Sequence, residues 1–205
     1  MNSLNPFRTI WIHTRETVHE LIEHNRPVMM YLLILLFGLN ISLERASITN
    51  LADSTSLLAI PIIVLLLTPI MGFAVWFFGG LLVYWTGSWL GGIGTFKEMR
   101  IAVAWSTIPF ALKTIIWVLQ VILFGREMFA EITPRIDSSP LLTILLGLIT
   151  LIDLIITAWF YVILSKSIGE AHNISSIKGF LSIVLGIALV LGCLLFLILV
   201  FSLIR

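Results

Sequence analysis

Five long apolar blocks, separated by short polar connections, dominate the chain. The first runs from Val28 to Leu43, between Arg26 and the Glu44–Arg45 pair. At ~1.5 Å per residue it spans about 24 Å, which is short for a bilayer crossing, so local thinning or snorkelling is expected. The second, Leu57 to Trp85, is long and carries Pro61, Pro69 and the Gly79–Gly80 pair. The third, Ile101 to Phe124, contains Pro109 and Lys113; the fourth, Leu141 to Leu164, follows Pro140 and contains Asp153. The fifth, Gly179 to Ile204, carries no charge. These lengths and periods predict helices, since barrel strands would alternate over about ten residues. The expected fold is an all-α integral membrane protein: a five-transmembrane-helix bundle over 28–205, preceded by an arm at 1–27.

The arm has its own pattern. After the cap-and-proline pair Asn5–Pro6, Phe7, Ile10, Trp11, Val18, Leu21 and Ile22 recur at helical spacing. Arg8, Arg15, Glu16, Glu20 and Glu23 occupy much of the remainder. This predicts an amphipathic helix that either lies in the headgroup region, anchored by Trp11 and Arg15, or packs on the cytoplasmic ends of the bundle. His13, His19 and His24 do not have the spacing of three or four that metal ligation on a helix requires, and read as solvated residues.

Composition agrees with the blocks. Of 205 residues, 59% are hydrophobic and 11% charged, under half the charged share of an average globular domain, about 25%. The formal charge of +1 gives no nucleic-acid-binding signature. The single cysteine, Cys193, excludes a disulfide within the chain and any cysteine-based metal cluster. The first block lacks a small-x-small cleavage site and reads as a retained anchor. Orientation follows from Lys and Arg in the connections. Arg8, Arg15, Arg26, Lys97, Arg100, Lys166 and Lys178 make seven on one side, against Arg45, Arg126, Arg135 and Arg205 on the other. The side with more Lys and Arg is cytoplasmic, which puts the N-terminus there.

Two charges lie well inside the blocks. Lys113 sits about 18 Å beyond Ile101, and Asp153 about 16 Å before Leu164, both measured from the cytoplasmic face. Antiparallel neighbouring helices therefore bring them to matched depth. A lone charge there costs at least about 2.5–3.5 kcal/mol, so pairing is favoured. The pair reads either as a polar site for a headgroup, ion or proton, or as a register-fixing contact. Pro109 should kink the third helix just below Lys113 and free carbonyls for polar contacts. Gln120 is too shallow to extend the pair.

The stretch Gly87–Arg100 holds Gly87, Gly91, Gly92 and Gly94, with Thr95 and Glu98 at capping-box spacing for a new helix. Lacking a Gly-Lys-Ser/Thr step, it is no phosphate-binding loop, although amides at a helix start can hold a lipid phosphate or a partner's carboxylate. Trp85 and Trp89 mark an aromatic belt, while Trp76, Trp105, Trp117 and Trp159 read as packing residues. Ser182/Gly186 and Ala188/Gly192 are small-xxx-small pairs, suited to internal packing or to a homo-oligomer contact. No Ser/His/Asp set, HExxH, paired-carboxylate cluster or Walker motif is present, so neither an enzyme nor a metal or cofactor site is expected.

Several stretches resemble the Yip1 family, in particular its short prokaryotic members. They are Trp11-Ile-His-Thr-Arg-Glu-Thr17 with Pro27, Gly91 to Arg100, Ala104-Trp-Ser-Thr-Ile-Pro109 and Glu170 to Gly179. The resemblance implies five spans, a cytoplasmic N-terminus and no catalytic residues. Eukaryotic relatives have a larger cytosolic N-terminal region and act in ER–Golgi traffic alongside Rab-type GTPases; the short arm here points instead to a bacterial plasma membrane. Some bacterial relatives are thought to accompany ABC-type exporters. Two functions stand. The first is a non-enzymatic scaffold or accessory subunit that docks other membrane proteins through Gly91, Gly92, Gly94, Thr95, Lys97, Arg100, Glu170, His172 and Lys178. The second is a lipid- or ion-handling bundle using Lys113 and Asp153.

Overall fold

A computed structural model describes residues 5–203. Ile204 and Arg205, counted above in the fifth block and among the outer basic residues, lie outside the described residues. Helices follow one another without a strand among the described residues. They are α1 (Pro6–Thr9), α2 (Thr14–Glu23), α3 (Pro27–Ile48), α4 (Leu51–Ser54), α5 (Ala59–Trp89), α6 (Phe96–Ser106), α7 (Pro109–Phe124), α8 (Pro134–Asp137), α9 (Pro140–Ala171) and α10 (Ser176–Leu203). Five segments among the described residues are long and apolar enough to cross a membrane: α3, α5, Phe96–Phe129, α9 and α10.

The helix ends correct the expected block edges. α3 continues past Leu43 to Ile48, which supplies the length the first block lacked. α9 continues past Leu164 to Ala171. At Pro109 the third segment is interrupted: α6 ends at Ser106 and Pro109 opens α7, with Ile108 between them in helical conformation (φ −48°, ψ −40°). Proline offers no N–H, and the intervening turn is closed by shorter-range bonds from Thr107 N to Ala104 O (3.2 Å) and from Ile108 N to Trp105 O (3.3 Å). The arm also divides. Asn5 Oδ1 accepts from Phe7 N at 3.2 Å, but the helix begun by Pro6 stops at Thr9 and a second starts at Thr14. The Thr17 hydroxyl bridges the two helices, 2.8 Å from Thr9 Oγ1.

By packing, the chain forms two compact units, each made from several stretches of sequence. The first gathers the arm with Phe78–Val103 and Val162–Arg205. Its buried residues include Ile10, Val18, Leu21, Met99, Ile163 and Ile168, so three apolar residues of the arm are covered by protein, while Phe7 is 38% exposed. Within it Ser182 and Thr86 hydroxyls meet at 2.8 Å, and Gly186 lies against Leu82; Ala188 and Gly192 are exposed. The second unit comprises Arg26–Phe77 and Ala104–Tyr161. Leu33, Ile34, Phe37, Trp105, Phe110 and Trp117 are buried there, and Gly38 meets Gly72 so closely that a Cβ on either would overlap backbone. Small residues let helix backbones approach in this way where lipid offers no hydrophobic drive. Trp159, read above as a packing residue, is 43% exposed.

Candidate functional site

The second unit holds an intramembrane charge cluster. Lys113, one turn after the helix start at Pro109, is buried, with its side chain 3% exposed. Its ammonium donates to Glu44 Oε1 at 2.7 Å and to Thr157 Oγ1 at 3.2 Å, and forms an ion pair with Asp153 Oδ1 at 3.1 Å. Asp153 and Thr157 are four residues apart on α9 and so share a face. The ammonium also lies 5.0 Å from the centre of the Phe110 ring, within cation–π range. Two hydrogen bonds and a second ion pair compensate the ammonium, which offsets the cost of a bare cation at this depth. One ammonium faces two carboxylates, however, leaving the cluster with a formal charge of −1. Glu44 and Asp153 side chains are 40% and 33% exposed and line a cavity of about 480 Å³.

Glu44 is the member that sequence reasoning missed. Placed beside Arg45, it read as the outer edge of the first block. The signal available was the block's shortness: about 20 residues are needed to span, and counting on from Pro27 reaches past Glu44. Asn40, one turn earlier on α3, was also missed. It is fully buried and donates to Phe110 O (3.1 Å) and Thr114 Oγ1 (2.8 Å), tying α3 to α7 beside the cluster. Gln120 is buried on α7.

The first unit holds the two loop motifs, and they interlock. α5 ends through Gly92 N to Gly87 O (3.0 Å), with Gly91 at φ +90°, a conformation that favours glycine. Ile93 N then donates to His172 O at 3.1 Å. The His172 ring is fully buried, stacked on Tyr84 at 15°. A Cβ on Gly87 or Gly92 would collide with that ring, and one on Gly94 with Ala171 O. The glycines therefore make room for the 171–172 turn. His172 Nε2 lies 3.3 Å from Val83 O, which assigns the proton to that nitrogen; Nδ1 is buried with no hydrogen-bond partner. Burial holds the His172 pKa below its ordinary value, opposed by the Val83 and Tyr84 carbonyls and by Glu98.

Around this core the other basic and acidic residues take places. Lys178 Nζ donates to Leu90 O at 2.9 Å. Arg15 donates to Glu170 Oε2 (2.9 Å) and Ile174 O (3.0 Å), and His19 Nδ1 lies 3.1 Å from Glu170 Oε1. Thr95 N donates to Glu98 Oε2 (2.7 Å) and Glu98 N to Thr95 Oγ1 (3.3 Å), closing a capping box at the start of α6. Arg100 lies over the Phe96 ring at 4.9 Å, Lys97 is exposed, and Trp11 Nε1 donates to Phe7 O at 2.9 Å within the arm.

A family model described as the Yip1 domain matches residues 8–199. The chain belongs to the Yip1 family. No curated protein and no solved structure matches it. The Yip1 family is generally one of non-enzymatic membrane proteins, and this Yip1 chain is a multi-pass membrane protein with several long apolar helices. The matched span takes in both loop motifs and all members of the charge cluster. Among the described residues of this Yip1 domain, no group of three or more His, Cys, Asp or Glu is placed to hold a metal ion. What the two arrangements offer chemically differs: the loops present a fixed, hydrogen-bonded surface, and the charge cluster presents carboxylate oxygens to a cavity.

Proposed function

We propose that this Yip1 protein is a non-enzymatic scaffold or accessory subunit that docks another membrane protein through its cytoplasmic loops. The observation that carries this reading is the interlock of the two motifs, Ile93 N to His172 O, with the His172 ring closed in by Gly87 and Gly92. A surface fixed in this way binds without the ordering cost that a mobile loop would pay. Its apolar residues Ile93 and Ile177 are 79% and 74% exposed, beside the exposed cations Lys97 and Lys178. The charge distribution supports a cytoplasmic placement. Arg8, Arg15, Lys97, Arg100, Lys166 and Lys178, six of the seven residues assigned inside, fall in the loop unit; Arg45, Arg126 and Arg135 fall in the other. The membrane is a bacterial plasma membrane, and an ABC-type exporter complex is the partner class that family resemblance suggests.

The test is purification from native membrane in mild detergent. A stoichiometric membrane-protein partner that is lost with Ile93→Asp and Ile177→Asp, while the folded Yip1 protein is retained, supports the reading. Recovery of the chain alone, with or without those substitutions, overturns it.

A further inference from the structure

We propose that the cavity beside Lys113 binds the ammonium group of an amine-bearing amphiphile. The charge count comes first. Glu44 and Asp153 face one ammonium, so the cluster is one positive charge short of neutral, and an uncompensated carboxylate is costly inside a span. Exposure decides the sign of the ligand. The carboxylate side chains are 40% and 33% exposed, whereas Lys113 is 3% exposed, donates to Glu44 and Thr157 and is ion-paired with Asp153. The cavity therefore presents acid, and a phosphate or carboxylate ligand would meet repulsion.

Each carboxylate uses one oxygen on the lysine. Glu44 Oε2 and Asp153 Oδ2 have no hydrogen bond to any described residue, leaving two charged acceptors for N–H donors. The walls suit a cation as well. Phe37, Phe110, Phe160 and Tyr161 line the cavity, with Phe110 in edge contact with Phe37 at 4.6 Å and with Phe160 at 5.0 Å. Aromatic faces attract ammonium groups and exclude water. At about 480 Å³ the space exceeds that of a bare ion and takes an amine head with part of its chain. Glu44 lies one turn from the end of α3, about 6 Å along the axis, so an amphiphile reaches it from the interface. Two sources share this chemistry: an ethanolamine lipid headgroup and a free alkylamine.

Native mass spectrometry of the detergent-solubilised full chain tests the proposal, with four probes: phosphatidylethanolamine, phosphatidylcholine and phosphatidylglycerol of the same acyl chains, and octylamine. Retention of the ethanolamine lipid or of octylamine about tenfold better than the choline and glycerol lipids is expected, from charge-assisted hydrogen bonds to the open carboxylate oxygens. Preference for the ethanolamine lipid names a headgroup as the source; preference for octylamine alone names a free amine. Glu44→Gln and Asp153→Asn should each abolish the preference in chains that remain monodisperse. Where those variants fail to fold, octylamine against octyltrimethylammonium on the wild-type chain decides, since the quaternary amine donates no hydrogen bond. Equal retention of all probes by the wild type, or a preference that survives both substitutions, overturns the proposal.

Discussion

Gly87→Ala offers the sharpest test of the interlocked loops. The three atoms nearest a Cβ at Gly87 all belong to the His172 ring. In the wild-type background the added methyl must displace a buried, stacked ring, an overpacking cost of about 1–3 kcal/mol. Gly87 lies inside α5, however, where alanine gains about 0.5–1 kcal/mol over glycine. With His172→Ala the obstacle is gone and only the helix gain remains. Gly87→Ala should then destabilise the wild type and stabilise the His172→Ala variant. Subtracting the two effects cancels the helix gain and leaves a coupling of about 1–3 kcal/mol, within the range for residues in contact. The assay is reversible unfolding in mixed micelles at increasing SDS fraction, followed by far-UV circular dichroism, on all four chains of the cycle. Equal cost of Gly87→Ala in both backgrounds would refute the reasoning.

Lys113→Met should cost about 3 kcal/mol in the same assay. That is the low end for breaking a buried pair, because both carboxylates are part-exposed. Combining it with Glu44→Gln and Asp153→Asn should recover most of the loss, and failure to recover would show that packing, not charge, holds the cluster. Acid should destabilise the loop unit through His172. Its folded pKa lies below the ordinary 6.5, so the unfolded chain binds the proton first. Stability is unaffected above that value, falls as pH drops through it and levels off below the folded pKa. His172→Gln should remove this component, read as the difference in unfolding midpoint between pH 7.5 and pH 5. Arg15→Ala should cost about 0.5–1 kcal/mol, as expected of a part-exposed pair, and raise amide exchange across α2 while leaving α9 protected. Equal exchange gains in both helices would mean that Arg15 does not pin the arm.

The apolar blocks made the helical membrane character legible, because a span must bury about 20 residues in lipid whatever it packs against. Helix edges were less legible. α3 runs on through Glu44 to Ile48, and Glu44 meets Lys113 at 2.7 Å. Hydropathy measures each residue alone and does not know its partner. The glycine stretch gave a turn and a helix start, and Thr95 with Glu98 closes that start. Nothing local to it announced that the space left by Gly87, Gly92 and Gly94 belongs to a histidine some eighty residues away.

The sequence by itself determined the helices, their membrane habit and the family, since periodicity, composition and motif order are properties of a linear chain. Tertiary structure decided the rest: that Lys113 has two acidic partners, that His172 closes the loop motifs from within, and that Ile10, Val18 and Leu21 of the arm are buried on protein. Each of these is a meeting between residues far apart in sequence. Its energy depends on distance and burial, which a chain acquires only on folding.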